Sequence, residues 1–248
     1  MSIKYKINST IEWLQEQVKN AGCQGLIVGI SGGIDSALCA FLIKKAFPNN
    51  SLGLIMPCDS NVQDKIDGLL AIEKCKLEYM EIDLTSIYQQ MVAEIKKGLN
   101  EKNFEDLNLT TSQANLKARL RMSTLYSIAN ALNYLVVGTD NQAELYTGYF
   151  TKYGDGGVDI LPLAQLTKRE VRAWARELGV PAEIITKVPS AGLWENQTDE
   201  EEIGVTYDII DDYLEGKEIP QRDKEIIERL HKISAHKRSM PLMAPKFN

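Results

Sequence analysis

No two of the four cysteines (Cys23, Cys39, Cys58, Cys75) in this 248-residue chain stand at a Cys-x-x-Cys spacing, and histidine occurs only twice. A cysteine–histidine zinc site is therefore not expected, and scattered thiols suit a reducing compartment better than a disulfide framework. No run of about 18 apolar residues occurs, so no membrane partner is expected. The opening Met-Ser-Ile-Lys-Tyr-Lys lacks the apolar stretch of a secretion signal. A cytoplasmic protein is the expectation. An excess of positive charge is missing too. Lys and Arg number 28 against 34 Asp and Glu, a net charge of −6, which speaks against a nucleic-acid partner. Repeats and low-complexity segments are absent. What remains is an ordinary globular composition, 44% hydrophobic and 25% charged, enough to bury one large core and read as a single domain over residues 1–248.

The most informative stretch is Leu26-Ile-Val-Gly-Ile-Ser-Gly-Gly-Ile-Asp-Ser36. Its apolar start reads as a buried parallel strand, Ser31, Gly32 and Gly33 as a tight turn, and Ile34 as the start of a helix with Ala37, Leu38, Phe41 and Leu42 on one face. Strand, glycine turn and helix N-terminus make an anion site, because backbone N–H groups and the helix dipole converge there. The Gly-Lys-Ser/Thr of a Walker A loop is absent, and so is the spaced acid of a Gly-x-Gly-x-x-Gly dinucleotide loop. Instead Asp35 sits inside the turn. A carboxylate beside a bound phosphate repels it unless a divalent cation lies between them, which implies a magnesium ion, Mg2+.

The rest of the chain alternates. Helices are expected at Asn8–Asn20, Val62–Cys75 and Ile87–Lys97, and strands at Ser51–Pro57 and Leu77–Ile82. This order predicts an α/β fold, a doubly wound parallel sheet flanked by helices, with ligands beyond the carboxyl ends of the strands. A polar linker, Glu101–Asn108, leads to a long helix, Thr110–Asn133. There Asn115, Arg119 and Tyr126 fall close together at i, i+4 and i+11, with Arg121 toward the other side. They make either an interhelical hydrogen-bond cluster or a seat for an anionic aromatic ligand.

Tyr134–Val137 is a fourth strand, and Gly138-Thr-Asp140 is the turn at its end. Glu144 follows, a second carboxylate to complete an oxygen set for Mg2+. Thr151–Asp159 reads either as a solvated glycine-rich loop or as a ligand-contacting one. Thr167 and Glu170 form a capping box for a helix ending at Gly179. Lys168 in its first turn opposes the macrodipole, so it is either a surface lysine or a phosphate ligand. Lys187–Gln197 reads as a lid with an apolar tip. Thr198 and Glu201 make a second capping box for a helix carrying Ile203, Tyr207, Ile210 and Leu214. A last helix runs over Arg222–Ser234.

The Ser-Gly-Gly-x-Asp-Ser loop resembles that of the N-type ATP pyrophosphatases, of the adenine nucleotide alpha hydrolase-like fold. Across nearly the whole chain the match narrows to ammonia-dependent NAD synthetases. The strings that carry it are Gly29–Ser36, Asn115–Met122, Gly138–Asp140 with Glu144, Thr147–Gly157, Pro162-Leu with Leu166–Lys168, Pro189–Leu193, Thr198–Glu200 and His236-Lys237, in that order.

The resemblance implies a ligase that uses ATP to amidate deamido-NAD with ammonia through an acyl adenylate, releasing AMP and pyrophosphate. It implies ATP over Gly29, Ile30, Ser31, Gly32, Gly33, Ile34, Asp35 and Ser36, with Thr139, Lys168 and Ser190 in contact, and Mg2+ on Asp35 and Glu144. Asp35, Glu144 and Lys168 then carry the chemistry. Deamido-NAD falls to Arg119, Lys152, Asp159, His236 and Lys237, with Asn115 and Tyr126 lining the site. The substrates are small molecules, the nitrogen donor is free ammonium, since 248 residues leave no room for a glutaminase domain, and the assembly is a homodimer. Two departures stand out. The lid reads Pro189-Ser-Ala-Gly-Leu where the family usually has Pro-Thr-Ala-Asp-Leu, and Asp59–Gln63 lacks an arginine, leaving Gln63 for that contact. Rival readings are another N-type ATP pyrophosphatase, such as a GMP synthetase subunit or a tRNA-modifying enzyme, and a non-catalytic nucleotide-binding domain.

Overall fold

The structure, a computed structural model, describes residues 1–102, 108–190 and 198–246. Four strands lie at its centre: β1 (Gly25–Gly29), β2 (Ser51–Ile55), β3 (Glu78–Glu81) and β4 (Tyr134–Val137). They pair in parallel in the order β3-β2-β1-β4. Strand succession runs outward from β1 through β2 to β3 and then jumps back to β4 on the other side of β1. That reversal makes the gap beyond the carboxyl ends of β1 and β4 the switch point, where such sheets bind ligands. The doubly wound parallel sheet expected from the sequence is therefore present.

Helices cover both faces. α1 (Ile3–Asn20), α2 (Ile34–Ala46) and α3 (Val62–Cys75) pack on one side, and α4 (Thr85–Asn100) and α5 (Leu109–Leu132) on the other. The split follows from the two-residue period of a strand. In β1, Leu26 and Val28 join the first cluster, and Ile27 joins Ala129 and Val136 against α5. α2 is buried almost all round, as its continuous apolar sequence requires. Beyond β4 come α6 (Gln142–Thr147), α7 (Lys168–Leu178), α8 (Ala182–Thr186), α9 (Asp199–Ile203), α10 (Tyr207–Leu214) and α11 (Gln221–Ile233), then a 3₁₀ turn over Ala235–Arg238. Among the described residues no helix is long and apolar enough to cross a membrane.

Some boundaries differ from the sequence expectation. α1 starts at Ile3 rather than Asn8, because the Ser2 side chain accepts the Tyr5 amide and caps it. The single helix expected through Ile203 and Leu214 is two. Gly204 ends α9 in the left-handed region, at φ 82°, and Thr206 caps α10 afresh. Residues 103–107 of the expected linker, and residues 191–197 of the expected lid with Gly192, lie outside the described residues.

The start of α7 shows how a lysine can occupy a helix's first turn. The capping box forms in full between Thr167 and Glu170. The fully buried Asp211 of α10 then accepts the Lys168 amide at 3.0 Å and the Arg169 amide at 2.9 Å. Its carboxylate supplies the negative charge that the macrodipole favours there, which leaves the Lys168 side chain free to point elsewhere. In Asp211→Ala those two amides would lack partners, at about 1–3 kcal/mol each. A loss of about 2–6 kcal/mol is expected, read from the urea midpoint at unchanged slope.

Candidate active site

The turn after β1 is closed by its own side chains. Ser36 Oγ accepts the Ser31 amide at 3.2 Å and donates to the Gly33 carbonyl at 3.0 Å, and Ser31 Oγ accepts the Gly33 amide at 3.3 Å. Gly32 sits at φ 81°, where a Cβ would come within 2.3 Å of the Asp64 carbonyl oxygen. Only glycine fits. No side chain caps α2, so its first-turn amides face the cleft, as an anion site requires.

Three side chains from three separate elements meet beside this turn. Lys168 Nζ lies 2.6 Å from Asp35 Oδ2 and 3.2 Å from Glu144 Oε1. Lys168 is 1% exposed, so water screens these ion pairs little. Burial alone would lower the Lys168 ammonium, but Asp35 and Glu144 outweigh it and hold it above its ordinary value. For Glu144 burial wins. Despite Lys168, its carboxyl is pushed up to about 7. Asn141 orients both acids: its side-chain amide donates to Asp35 Oδ1 at 3.0 Å and its backbone amide to Glu144 Oε2 at 3.0 Å. The surface-lysine alternative for Lys168 is thereby set aside.

These groups lie in a cleft of about 790 Å³. Gly29, Ile30, Ser31, Gly33, Ile34, Asp35, Ser36, Thr139, Glu144, Lys168 and Ser190 line it, and so do Asn115 and Lys237. Gly32 shapes the turn from behind. The remaining dinucleotide candidates cluster outside this lining. The Tyr126 hydroxyl donates to Asp159 Oδ1 at 2.9 Å, while Asp159 Oδ2 accepts the Val136 amide at 2.7 Å. Arg119 donates to the Lys152 carbonyl at 3.3 Å, and Lys152 Nζ bonds the carbonyls of His236 and Ser239. Lys237 Nζ donates to the carbonyls of Gly148 and Phe150, at 2.8 and 2.6 Å. Asn115 accepts the Thr151 hydroxyl at 2.7 Å. The glycine-rich loop is thus held by the long helix and the C-terminal turn. Gln63 bonds Asp67 at 2.8 Å and stays off the cleft lining.

The NAD synthase family model matches residues 6–241. The chain belongs to the NAD synthase family. An NH3-dependent NAD+ synthetase of Alkaliphilus oremlandii is 59% identical over 241 residues, 97% of this chain and 96% of its own length. Among solved structures, one described as an NMN synthetase from Francisella tularensis shares 41% identity over the whole of both chains, with a TM-score of 0.92. An NH3-dependent NAD synthetase from Campylobacter jejuni, in complex with nitrate, shares 32% identity over 99% of this chain and 100% of that one, with a TM-score of 0.77.

Within this NAD synthase chain the donor set can be tested against Mg2+. Among the described residues no group of three or more His, Cys, Asp or Glu forms a ready metal cage. Asp35 and Glu144 nevertheless stand within 3.2 Å of one ammonium. One or two carboxylates, completed by water and substrate phosphates, are the usual protein ligands of Mg2+. The residues fit the ion.

The sequence reading missed Tyr207 and Asp199. Tyr207 is fully buried, its hydroxyl 3.0 Å from Glu144 Oε1 and 3.1 Å from Asp199 Oδ2. Its ring centroid is 4.5 Å from Lys168 Nζ, a cation–π distance. Helical spacing placed Tyr207 in an apolar stripe, and nothing in that spacing marks a hydroxyl aimed at an acid. Lys117 and Arg121 were missed as well. Lys117 donates to the Asp59 carbonyl at 2.9 Å, and Arg121 to the Met56 carbonyl at 3.1 Å and to Ser60 Oγ at 2.8 Å, together pinning the turn after β2. Tyr207→Phe removes the hydroxyl from Glu144 and Asp199 and keeps the ring. Turnover is expected to fall about 10-fold with the thermal midpoint little changed; an unaltered rate would show that Asn141 and Lys168 alone hold Glu144.

Proposed function

We propose that this NAD synthase chain uses ATP and ammonia to amidate deamido-NAD, producing NAD, AMP and pyrophosphate. It acts as a ligase that forms a C–N bond. The observation that carries the reading is the buried Lys168 between Asp35 and Glu144 at the mouth of a glycine anion turn, in a chain whose family match covers residues 6–241.

ATP lies with its phosphates on the turn over residues 29–36, near Thr139, Lys168 and Ser190. Asp35 and Glu144 would hold Mg2+, which when bound supplies positive charge against the departing pyrophosphate. A carboxylate oxygen of the nicotinate attacks the α-phosphorus, and the bond from that phosphorus to the bridging oxygen breaks. Ammonia then attacks the acyl carbon, the bond to AMP breaks and the nitrogen loses a proton. No side-chain nucleophile takes part. The protein aligns two anions and stabilises the charge that develops between them, with the uncapped start of α2 and Lys168 as its donors. Asn115, Arg119, Tyr126, Lys152, Asp159, His236 and Lys237 receive deamido-NAD. The outer position of most of them supports a dinucleotide site completed by a second copy of the chain, hence a homodimer. A single domain over residues 1–248 and a cytoplasmic location belong to the same reading.

One observation favours a second substrate. The Francisella tularensis structure described as an NMN synthetase superposes at TM-score 0.92, against 0.77 for the Campylobacter jejuni enzyme. Under that reading the mononucleotide is amidated instead.

The test is formation of AMP and amidated product from ATP, Mg2+ and ammonium, with deamido-NAD and deamidated mononucleotide supplied in parallel. Higher kcat/KM with deamido-NAD supports the first reading and the reverse supports the second; no turnover with either would overturn both. Asp35→Asn is expected to lose at least about 10²-fold in kcat. Sedimentation at micromolar concentration is expected to give a dimer, and a monomer would remove the shared-site proposal.

A further inference from the structure

One buried carboxylate stands between the two halves of the site. Asp199 opens α9 and is 6% exposed. Its Oδ2 accepts from the Tyr207 hydroxyl at 3.1 Å, and that same hydroxyl lies 3.0 Å from Glu144 Oε1. Its Oδ1 accepts from the Tyr149 hydroxyl at 3.1 Å, and the Tyr149 hydroxyl also reaches Glu202 Oε2. The Asp199 amide donates to the Pro189 carbonyl at 3.1 Å, next to Ser190.

Tyr149 belongs to the dinucleotide side. Lys237 donates to the carbonyls of Gly148 and Phe150, the residues on either side of it, so the backbone that carries Tyr149 is fixed to a candidate ligand of deamido-NAD. Glu144 belongs to the ATP side, with Lys168 on its Oε1. A run of hydrogen bonds joins the two, from Glu144 through Tyr207 and Asp199 to Tyr149. Contact alone transmits nothing; an element with two arrangements does. Tyr207 is such an element. A phenol has one proton to give, and two carboxylates on different helices stand at nearly equal distance from this one. Whichever acid needs that proton less cedes it to the other.

We propose that Asp199 is a positioning residue that makes the ATP site and the site for the carboxylated nucleotide cooperative. This rests on the ligase reading above. Positive charge that arrives on Glu144 with ATP and its metal makes this acid a weaker acceptor, and the Tyr207 proton turns to Asp199. Asp199 then holds α9 to α10 through Tyr207 and to the loop of Tyr149 at once, so that loop is in place before the second nucleotide arrives. A nucleotide that finds its loop already ordered is spared the ordering cost and binds more tightly. Asp199 acts through the two tyrosines and takes no part in making or breaking bonds.

The experiment reads binding rather than turnover. The Kd of deamido-NAD is measured by calorimetry with and without saturating α,β-methylene ATP and Mg2+, an analogue that cannot release pyrophosphate, and the deamidated mononucleotide is measured in parallel. In wild type the analogue is expected to tighten the nucleotide about 5-fold or more, the usual size of coupling between two sites. In Asp199→Asn and in Tyr149→Phe that factor is expected to fall below about 2-fold. A merely structural role weakens the nucleotide equally with and without the analogue and leaves the factor unchanged; that result overturns the proposal. Tyr149→Phe keeps the ring and decides alone if Asp199→Asn lowers the thermal midpoint. Wild type that binds neither nucleotide beside the analogue overturns the ligase reading and the coupling with it. Wild type that binds a nucleotide and the analogue independently overturns the coupling alone.

Discussion

A lysine buried between two carboxylates ties together parts of the chain that are otherwise far apart. Asp35 comes from the first turn of α2, Glu144 from α6 and Lys168 from the first turn of α7. Taking each charge out of water costs several kcal/mol, which the ion pairs offset only with good geometry and every other lone pair satisfied. The surroundings read as the means to that end. Asn141 fixes both acids, Tyr207 supports Glu144 from below, and Asp211 caps the helix that presents the lysine. Removing one partner leaves an uncompensated buried charge, so the cluster stands or falls as a unit.

The sheet explains why this cluster forms where it does. β1 and β4 are neighbours in space but more than a hundred positions apart in sequence, and the turns that follow them open on one gap. The first supplies backbone donors and Asp35; the second supplies Asp140, Asn141 and Glu144. α7 packs against α2 through Val171, Trp174 and Ala175 in the main core, and this packing brings Lys168 to the same place. Apolar burial positions the polar machinery.

What could be read from the sequence was what is local. The glycine turn, the Asp35 within it, the box at Thr167 and the oddity of a lysine beside it are all defined within a few residues, and each appears as expected. β4 was placed at Tyr134–Val137 for the same reason. Contacts set by the tertiary fold were not legible. Tyr207 alternates with apolar residues on a helix, so its hydroxyl is invisible to periodicity. Asp140 looks like an ordinary turn residue until the strand beneath it is known to be buried. The break at Gly204 was lost because a run of apolar residues at helical spacing continues across it, and only the left-handed backbone there separates the two helices. The outer residues Lys152, Asp159 and His236 were assigned through resemblance alone, since no spacing joins segments so far apart.

The charge balance of the cleft bears on how its two anionic substrates can enter. Asp35, Glu144, Asp140 and Asp155 are opposed by Lys168, which already serves two of them, and by Lys237, which acts on Asp155 and Asp140. Directed donors at the start of α2, which no side chain caps, act at short range and cost no reorganisation. For Lys168 to turn toward a phosphate, its two acids need another positive partner, so the metal belongs to this reading as firmly as the lysine does. The surplus of acids then has a reason of its own. It disfavours loose binding of either anion without its counter-ion.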